Sequence, residues 1–129
     1  MIGYTTVGTK DMEKAAAFYD ALFGILGAQR IWDWETFKGW ATAPGSPMFT
    51  VTYPYNKEEA TVGNGVMIAL SAPDQETVKK LYEKAIELGG TCEGEPGYRG
   101  SEDMGFYAGY FRDLDGNKLN AFNYSPKKA

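Results

Sequence analysis

Residues 105–123, GFYAGYFRDLDGNKLNAFN, decide the fold. Two strand-like runs, Gly105 to Arg112 and Lys118 to Asn123, flank the five residues Asp113 to Asn117. An Asp-Gly step between two such runs is a hairpin signal, because glycine takes the positive φ that a tight turn needs. Side chains alternate along a strand, so Ala108 and Tyr110 share one face, and Tyr107, Gly109 and Phe111 share the other. A two-stranded hairpin cannot bury an apolar face alone, so the strands that complete it lie upstream.

Working upstream, the chain is written twice. An offset of 63 residues places Asp11 on Asp74, Phe18 on Leu81, Tyr19 on Tyr82 and Gly27 on Gly90. Each copy opens on a strand-like run, Ile2 to Gly8 and Val66 to Ala72. Each then offers an aspartate suited to N-cap a helix. Helical periodicity follows, with Met12, Ala15, Ala16, Tyr19, Leu22, Phe23 and Leu26 in one copy. Val78, Leu81, Tyr82, Ala85 and Leu88 repeat it in the other. Glycines close both helices, Gly27 in the first and Gly89-Gly90 in the second. Three strands are predicted after each helix: Gln29 to Asp33, Thr36 to Ala43 and Met48 to Tyr53, then Thr91 to Glu95, Gly105 to Arg112 and Lys118 to Asn123. Residues 96–104 form an extra loop found only in the second copy. The reading is α+β: two tandem βαβββ modules forming a cupped, mostly antiparallel sheet in a single domain over 1–129. Module one spans 1–55, a linker 56–63, and module two 64–124. One such module leaves a sheet face unburied, so modules must pair within the chain or across a dimer.

This pattern resembles the vicinal-oxygen-chelate superfamily, which holds glyoxalases, bleomycin-resistance proteins and ring-cleaving dioxygenases. The motif Tyr4-x6-Asp11-Met12-x2-Ala15-x2-Phe18-Tyr19 is similar to that family's first strand, acidic cap and helical Phe-Tyr pair. Residues 105–120 are similar to its penultimate strand, hairpin and last strand. The resemblance implies one divalent metal in the cup, held by His or Glu on four strands. Carried over, those positions fall on Tyr4, Met67, Asn120, and either Thr50 or Thr52. A phenol, a thioether, an amide and a hydroxyl make a poor divalent site. No metal and no other cofactor is therefore expected.

Composition sharpens this. The chain contains no histidine, which excludes Ser-His-Asp triads, Cys-His pairs and histidine-ligated metals. The single cysteine, Cys92, excludes an internal disulfide; on a predicted strand it reads as a small buried apolar group. A net charge of −4 with scattered basic residues argues against nucleic acid as a partner, and weakly favours a cationic ligand. No apolar run reaches the roughly 20 residues that span a bilayer, and no secretory signal opens the chain, so a cytoplasmic location without membrane attachment is expected.

Aromatic residues make up 15% of the chain, and most are expected in the core or a dimer interface. Some would line a ligand groove, with Trp40 and Tyr110 as candidates. Arg99, set between Gly97 and Gly100, could close on an anion. The candidate ligand-binding set is Tyr4, Thr50, Thr52, Met67, Asn120, Trp40, Arg99 and Tyr110, with no catalytic residue assigned. The expected function is metal-free binding of an aromatic or amphipathic small molecule by a homodimer, with no enzymatic role assigned. The alternatives are a metal-independent lyase or isomerase using Tyr4, and a structural or regulatory dimer without a small ligand.

Overall fold

The computed structural model describes residues 1–127. The first module runs β1 (Tyr4–Gly8), α1 (Met12–Gly24), β2 (Gln29–Trp34), β3 (Phe37–Ala41) and β4 (Met48–Thr52). The second runs β5 (Ile68–Ser71), α2 (Gln75–Glu87), β6 (Thr91–Tyr98), β7 (Phe106–Arg112) and β8 (Lys118–Tyr124). The βαβββ plan is thus present twice, as two four-stranded sheets of order β1-β4-β3-β2 and β5-β8-β7-β6. In each sheet the first strand pairs in parallel with the last, and the other pairings are antiparallel.

Local chemistry explains the element ends. Asp11 accepts the Lys14 N–H at 3.1 Å, and Asp74 accepts the Thr77 N–H at 2.8 Å, so both helices start where a side chain satisfies an orphan donor. Gly27 and Gly89 take φ of 74° and 104° just past the two helices. Past α2 the chain turns so tightly that the Gly90 N–H reaches the Ala85 carbonyl at 2.8 Å.

The extra segment is shorter than expected. β6 continues through Pro96 to Tyr98, and a 3₁₀ turn (Glu102–Met104) follows. Proline is tolerated because β6 is an edge strand whose register shifts on both sides of Gly94. Cys92 lies on this strand as expected, but it is exposed rather than buried, since the edge leaves it uncovered.

Each sheet has one face covered by helices and one open face. Val7, Trp40, Phe49 and Val51 turn toward α1; Leu70, Tyr107, Phe111 and Leu119 turn toward α2; all belong to one core that joins the modules. A buried polar contact reinforces the join. Tyr19 on α1 donates its hydroxyl to Asp113 Oδ2 at 2.6 Å, in the β7–β8 turn. Asp113 Oδ1 also accepts the Asp115 and Asn117 N–H groups, and Asn117 Nδ2 donates to the Gly8 carbonyl at the end of β1. The hairpin turn that decides the fold in sequence therefore also fastens module two to module one. Among the described residues no helix is long and apolar enough to cross a membrane.

Candidate ligand-binding site

Strand alternation and register assign every candidate residue to a surface. On the open face of module one stand Tyr4, Thr6, Thr50 and Thr52, together with Trp32 and Trp34 of β2. The Tyr4 ring meets Trp32 edge-on at 5.5 Å, and Trp32 stacks on Trp34 at 6.0 Å. Thr50 is fully buried. Its hydroxyl donates to the Thr5 carbonyl at 2.7 Å, so the 2.8 Å contact with Thr6 Oγ1 has Thr6 as donor.

On the open face of module two stand Arg99, Tyr110, Lys118 and Asn120. Tyr110 lies beside Asn120 in the β7–β8 pairing, and Ala69 lies beside Asn120 in the β5–β8 pairing. The Arg99 guanidinium sits over the Tyr110 ring at 5.2 Å, and Lys118 Nζ at 5.7 Å from the same ring. Asn120 is 1% exposed, and among the described residues its Oδ1 has no hydrogen-bond donor. An orphaned buried carbonyl costs roughly 1–3 kcal/mol, so this is a place where a donor would be gained.

Trp40 belongs to neither open face, and Met67 precedes β5. Trp40 lies in the helix-side core, 2% exposed, with its indole N–H on Asp20 at 2.8 Å. Its ring and Met67 help to wall a cavity of roughly 490 Å³ between the modules, with Phe23, Phe49, Ile68 and Leu70. Neither Tyr4 nor Asn120 lines that cavity. The expected convergence of Tyr4, Met67 and Asn120 on one cavity is thus not found within the chain. The reason is architectural: β1 and β5 are edges of two separate sheets.

Register also resolves the choice between Thr50 and Thr52. Thr6 pairs with Thr50 in module one, and Ala69, which is Thr6 plus the repeat offset, pairs with Asn120 in module two. Thr50 is the counterpart of Asn120. Where module one has the Thr6 hydroxyl, module two has the methyl of Ala69, which offers Asn120 no donor at that register position.

The donor set at the four carried-over positions does not fit a divalent metal. Thr50 is committed to two hydrogen bonds, Tyr4 is 53% exposed, and Met67 lies in a different cavity wall. Among the described residues no group of three or more His, Cys, Asp or Glu side chains could hold one. Among the described residues the Tyr4 hydroxyl makes no hydrogen bond to a carboxylate or tyrosine, and its ring packs on Trp32.

The most perturbed groups lie away from both open faces. Burial, reinforced by the Asp113 charge, raises the Tyr19 hydroxyl well above its ordinary value. Burial likewise raises Asp113, against hydrogen bonds from Tyr19 and Asn117 that favour its charged form. The Tyr82 hydroxyl is pushed up to about 12, first by the neighbouring Cys92 thiol. The open face of module two carries Arg99, Arg112 and Lys118, with Glu93 on Arg112. Lys118 was absent from the sequence-based set. The hairpin register would have found it, since position 118 shares a face with Asn120.

A sequence profile of the Glyoxalase/Bleomycin resistance protein/Dioxygenase superfamily matches residues 1–121. No curated protein sequence matches the chain. Among solved structures, a glyoxalase/bleomycin resistance protein from Albidiferax ferrireducens is 34% identical, with a TM-score of 0.87 over 97% of this chain and 99% of that one. A hypothetical protein from S. aureus is 27% identical, with a TM-score of 0.72 over 95% and 92%. A glyoxalase/bleomycin resistance protein/dioxygenase family enzyme from Burkholderia phytofirmans shares the fold at 21% identity, with a TM-score of 0.74 over 95% and 98%.

Proposed function

The chain belongs to the Glyoxalase/Bleomycin resistance protein/Dioxygenase superfamily, and on that premise we propose that it is a metal-independent binding protein for an aromatic or amphipathic small molecule. The observation that carries this reading is Asn120. A buried carbonyl without a donor, beside a tyrosine on an otherwise uncovered sheet face, is costly for folding alone and useful for a ligand that donates. Tyr110, beside Asn120 in the β7–β8 ladder, supplies the aromatic ring that such a ligand stacks on.

The protein acts as a homodimer in this reading. Trp34 is 59% exposed and Tyr4 53%, and an apolar patch of that kind is better covered than left to water. Sedimentation at micromolar concentration giving only monomer would remove the dimer.

Metal independence rests on the unsuitable donors at Tyr4, Thr50, Met67 and Asn120. Elemental analysis of dialysed, untagged protein tests it: one zinc, nickel, iron or manganese per chain would end that part of the reading. Binding is tested by a thermal-shift screen of small molecules. A ligand at about 100 times its dissociation constant should stabilise the fold by roughly 2.7 kcal/mol. The shift should shrink in Asn120→Leu; an unchanged shift would place the site elsewhere.

A further inference from the structure

Resting on that binding reading, we propose that the open face of module two selects a carboxylate-bearing ligand, held between Arg99 and Lys118 with the Tyr110 ring as its floor. Both cations approach one ring, at 5.2 Å and 5.7 Å. Among the described residues neither is paired with a carboxylate. Arg112 on the same face is different: it is neutralised by Glu93. An anion that reaches both cations gains from each of them.

Arg99 is also held ready. Its Nη1 donates to the Gly97 carbonyl at 3.0 Å and its Nη2 to the Glu95 carbonyl at 2.8 Å. These bonds lay the side chain back across β6. The strand permits this because a Cβ at Gly94 would stand only 3.0 Å from Nη2. Two of the five guanidinium N–H groups are used, which leaves donors for the two oxygens of a carboxylate. A side chain already fixed in place loses less freedom on binding. Asn120 sits beside Tyr110 in the ladder and accepts a donor from the ligand body. The ligand class is therefore an aryl carboxylate that also carries an N–H or O–H group.

Three probes of one shape separate the charge from the shape: hydroxynaphthoate, hydroxynaphthamide and hydroxynaphthylmethylammonium, each titrated by calorimetry. The full-length protein should bind the carboxylate at least about tenfold more tightly than the amide or the ammonium. Arg99→Met and Lys118→Met, checked for folding by circular dichroism, should each weaken the carboxylate by about tenfold and weaken the amide less. Raising salt from about 0.05 M to about 0.3 M should weaken the carboxylate alone. Equal binding of all three probes to the unaltered protein, or variants that bind the carboxylate normally, would overturn the carboxylate site and leave the binding reading standing. Binding of none of the three would overturn the site and count against the binding reading as well.

Discussion

At one register position the two modules place Thr6 against Thr50 and Ala69 against Asn120. The first pair closes on itself: Thr6 donates to Thr50, and Thr50 donates to the Thr5 carbonyl. The second pair stays open, with a buried carbonyl and no donor. The strand next in each sheet follows the same division. Gly39 lies beside Thr50, and Trp32 fills the space over it; Tyr110 lies beside Asn120, under Arg99 and Lys118. One backbone plan has thus produced a neutral aromatic shelf and a cationic face with an unmet acceptor. Duplication supplies two equivalent surfaces, and a few side chains decide which is finished for folding and which is left for a ligand.

The helix-covered faces differ in the opposite sense, and the largest predicted effect lies there. Tyr19 is buried against Asp113, whereas its counterpart Tyr82 is half-buried beside Cys92. Asp113→Ala should cost roughly 3–5 kcal/mol in urea unfolding, because it strands the Tyr19 hydroxyl and frees the N–H groups of Asp115 and Asn117. That is a large share of the roughly 5–15 kcal/mol that holds a domain folded. A loss below about 1 kcal/mol would mean that the turn does not fasten the modules together.

Tyr19→Phe is next, at about 1.5–3 kcal/mol, since it removes one hydrogen bond to a carboxyl group. Tyr82→Phe should stay within about 0.5 kcal/mol. The pair also differs in alkali. The folded protein keeps the Tyr19 proton well above the hydroxyl's ordinary value, while the unfolded chain releases it near pH 10. The stabilisation linked to Tyr19 is complete below about pH 10 and is lost as pH rises beyond it. Tyr19→Phe should therefore flatten the alkaline fall in stability. Tyr82→Phe should flatten it less, because that hydroxyl is only half-buried. Equal slopes in the two variants would erase the distinction between the helices.

Much of the fold was legible in sequence, and the reason is visible at Asp11, Asp74 and the Asp113–Asn117 turn. Caps and hairpin turns are local, so the residues that make them also announce them. The site was legible only in part. Tyr4, Thr50, Arg99, Tyr110 and Asn120 do reach open faces, because strand alternation is also local. Trp40 does not, and Met67 walls the cavity between the modules, because which face of a sheet a helix covers, and how two sheets come together, are properties of the assembled core. The pairing of Thr6 with Thr50 joins residues 44 positions apart in a parallel register that no local signal specifies. The offset of the repeat was the signal that could have exposed it, by setting Thr6 against Ala69.

The closed pair can be opened. Thr50→Val should cost about 1–2 kcal/mol, because it removes the hydroxyl that donates to the Thr5 carbonyl and accepts from Thr6 while filling almost the same volume. Asn120→Leu is the matched change in the other module. It removes an unmet acceptor instead of a made bond, so stability should hold or rise. A comparable loss in both variants would show that Asn120 is satisfied in solution and that the asymmetry between the modules is absent.

The smallest effect is the most direct test, because it asks whether one hydroxyl accounts for the difference. Ala69→Thr gives module two the residue that module one has at the same register position. Ala69 is exposed, so the added atoms meet no packed core. The new hydroxyl can donate to Asn120 Oδ1, as Thr6 donates to Thr50. A β-branched residue also suits a strand. The variant should gain about 0.5–1.5 kcal/mol, the net worth of a made hydrogen bond. It should also bind any donor-bearing ligand more weakly, since the acceptor is then taken. Stability and binding would move in opposite directions from one substitution. A gain in stability with unchanged binding would show that the orphaned carbonyl is an accident of folding rather than part of the site. Loss of both would show that Ala69 is kept small for the ligand itself.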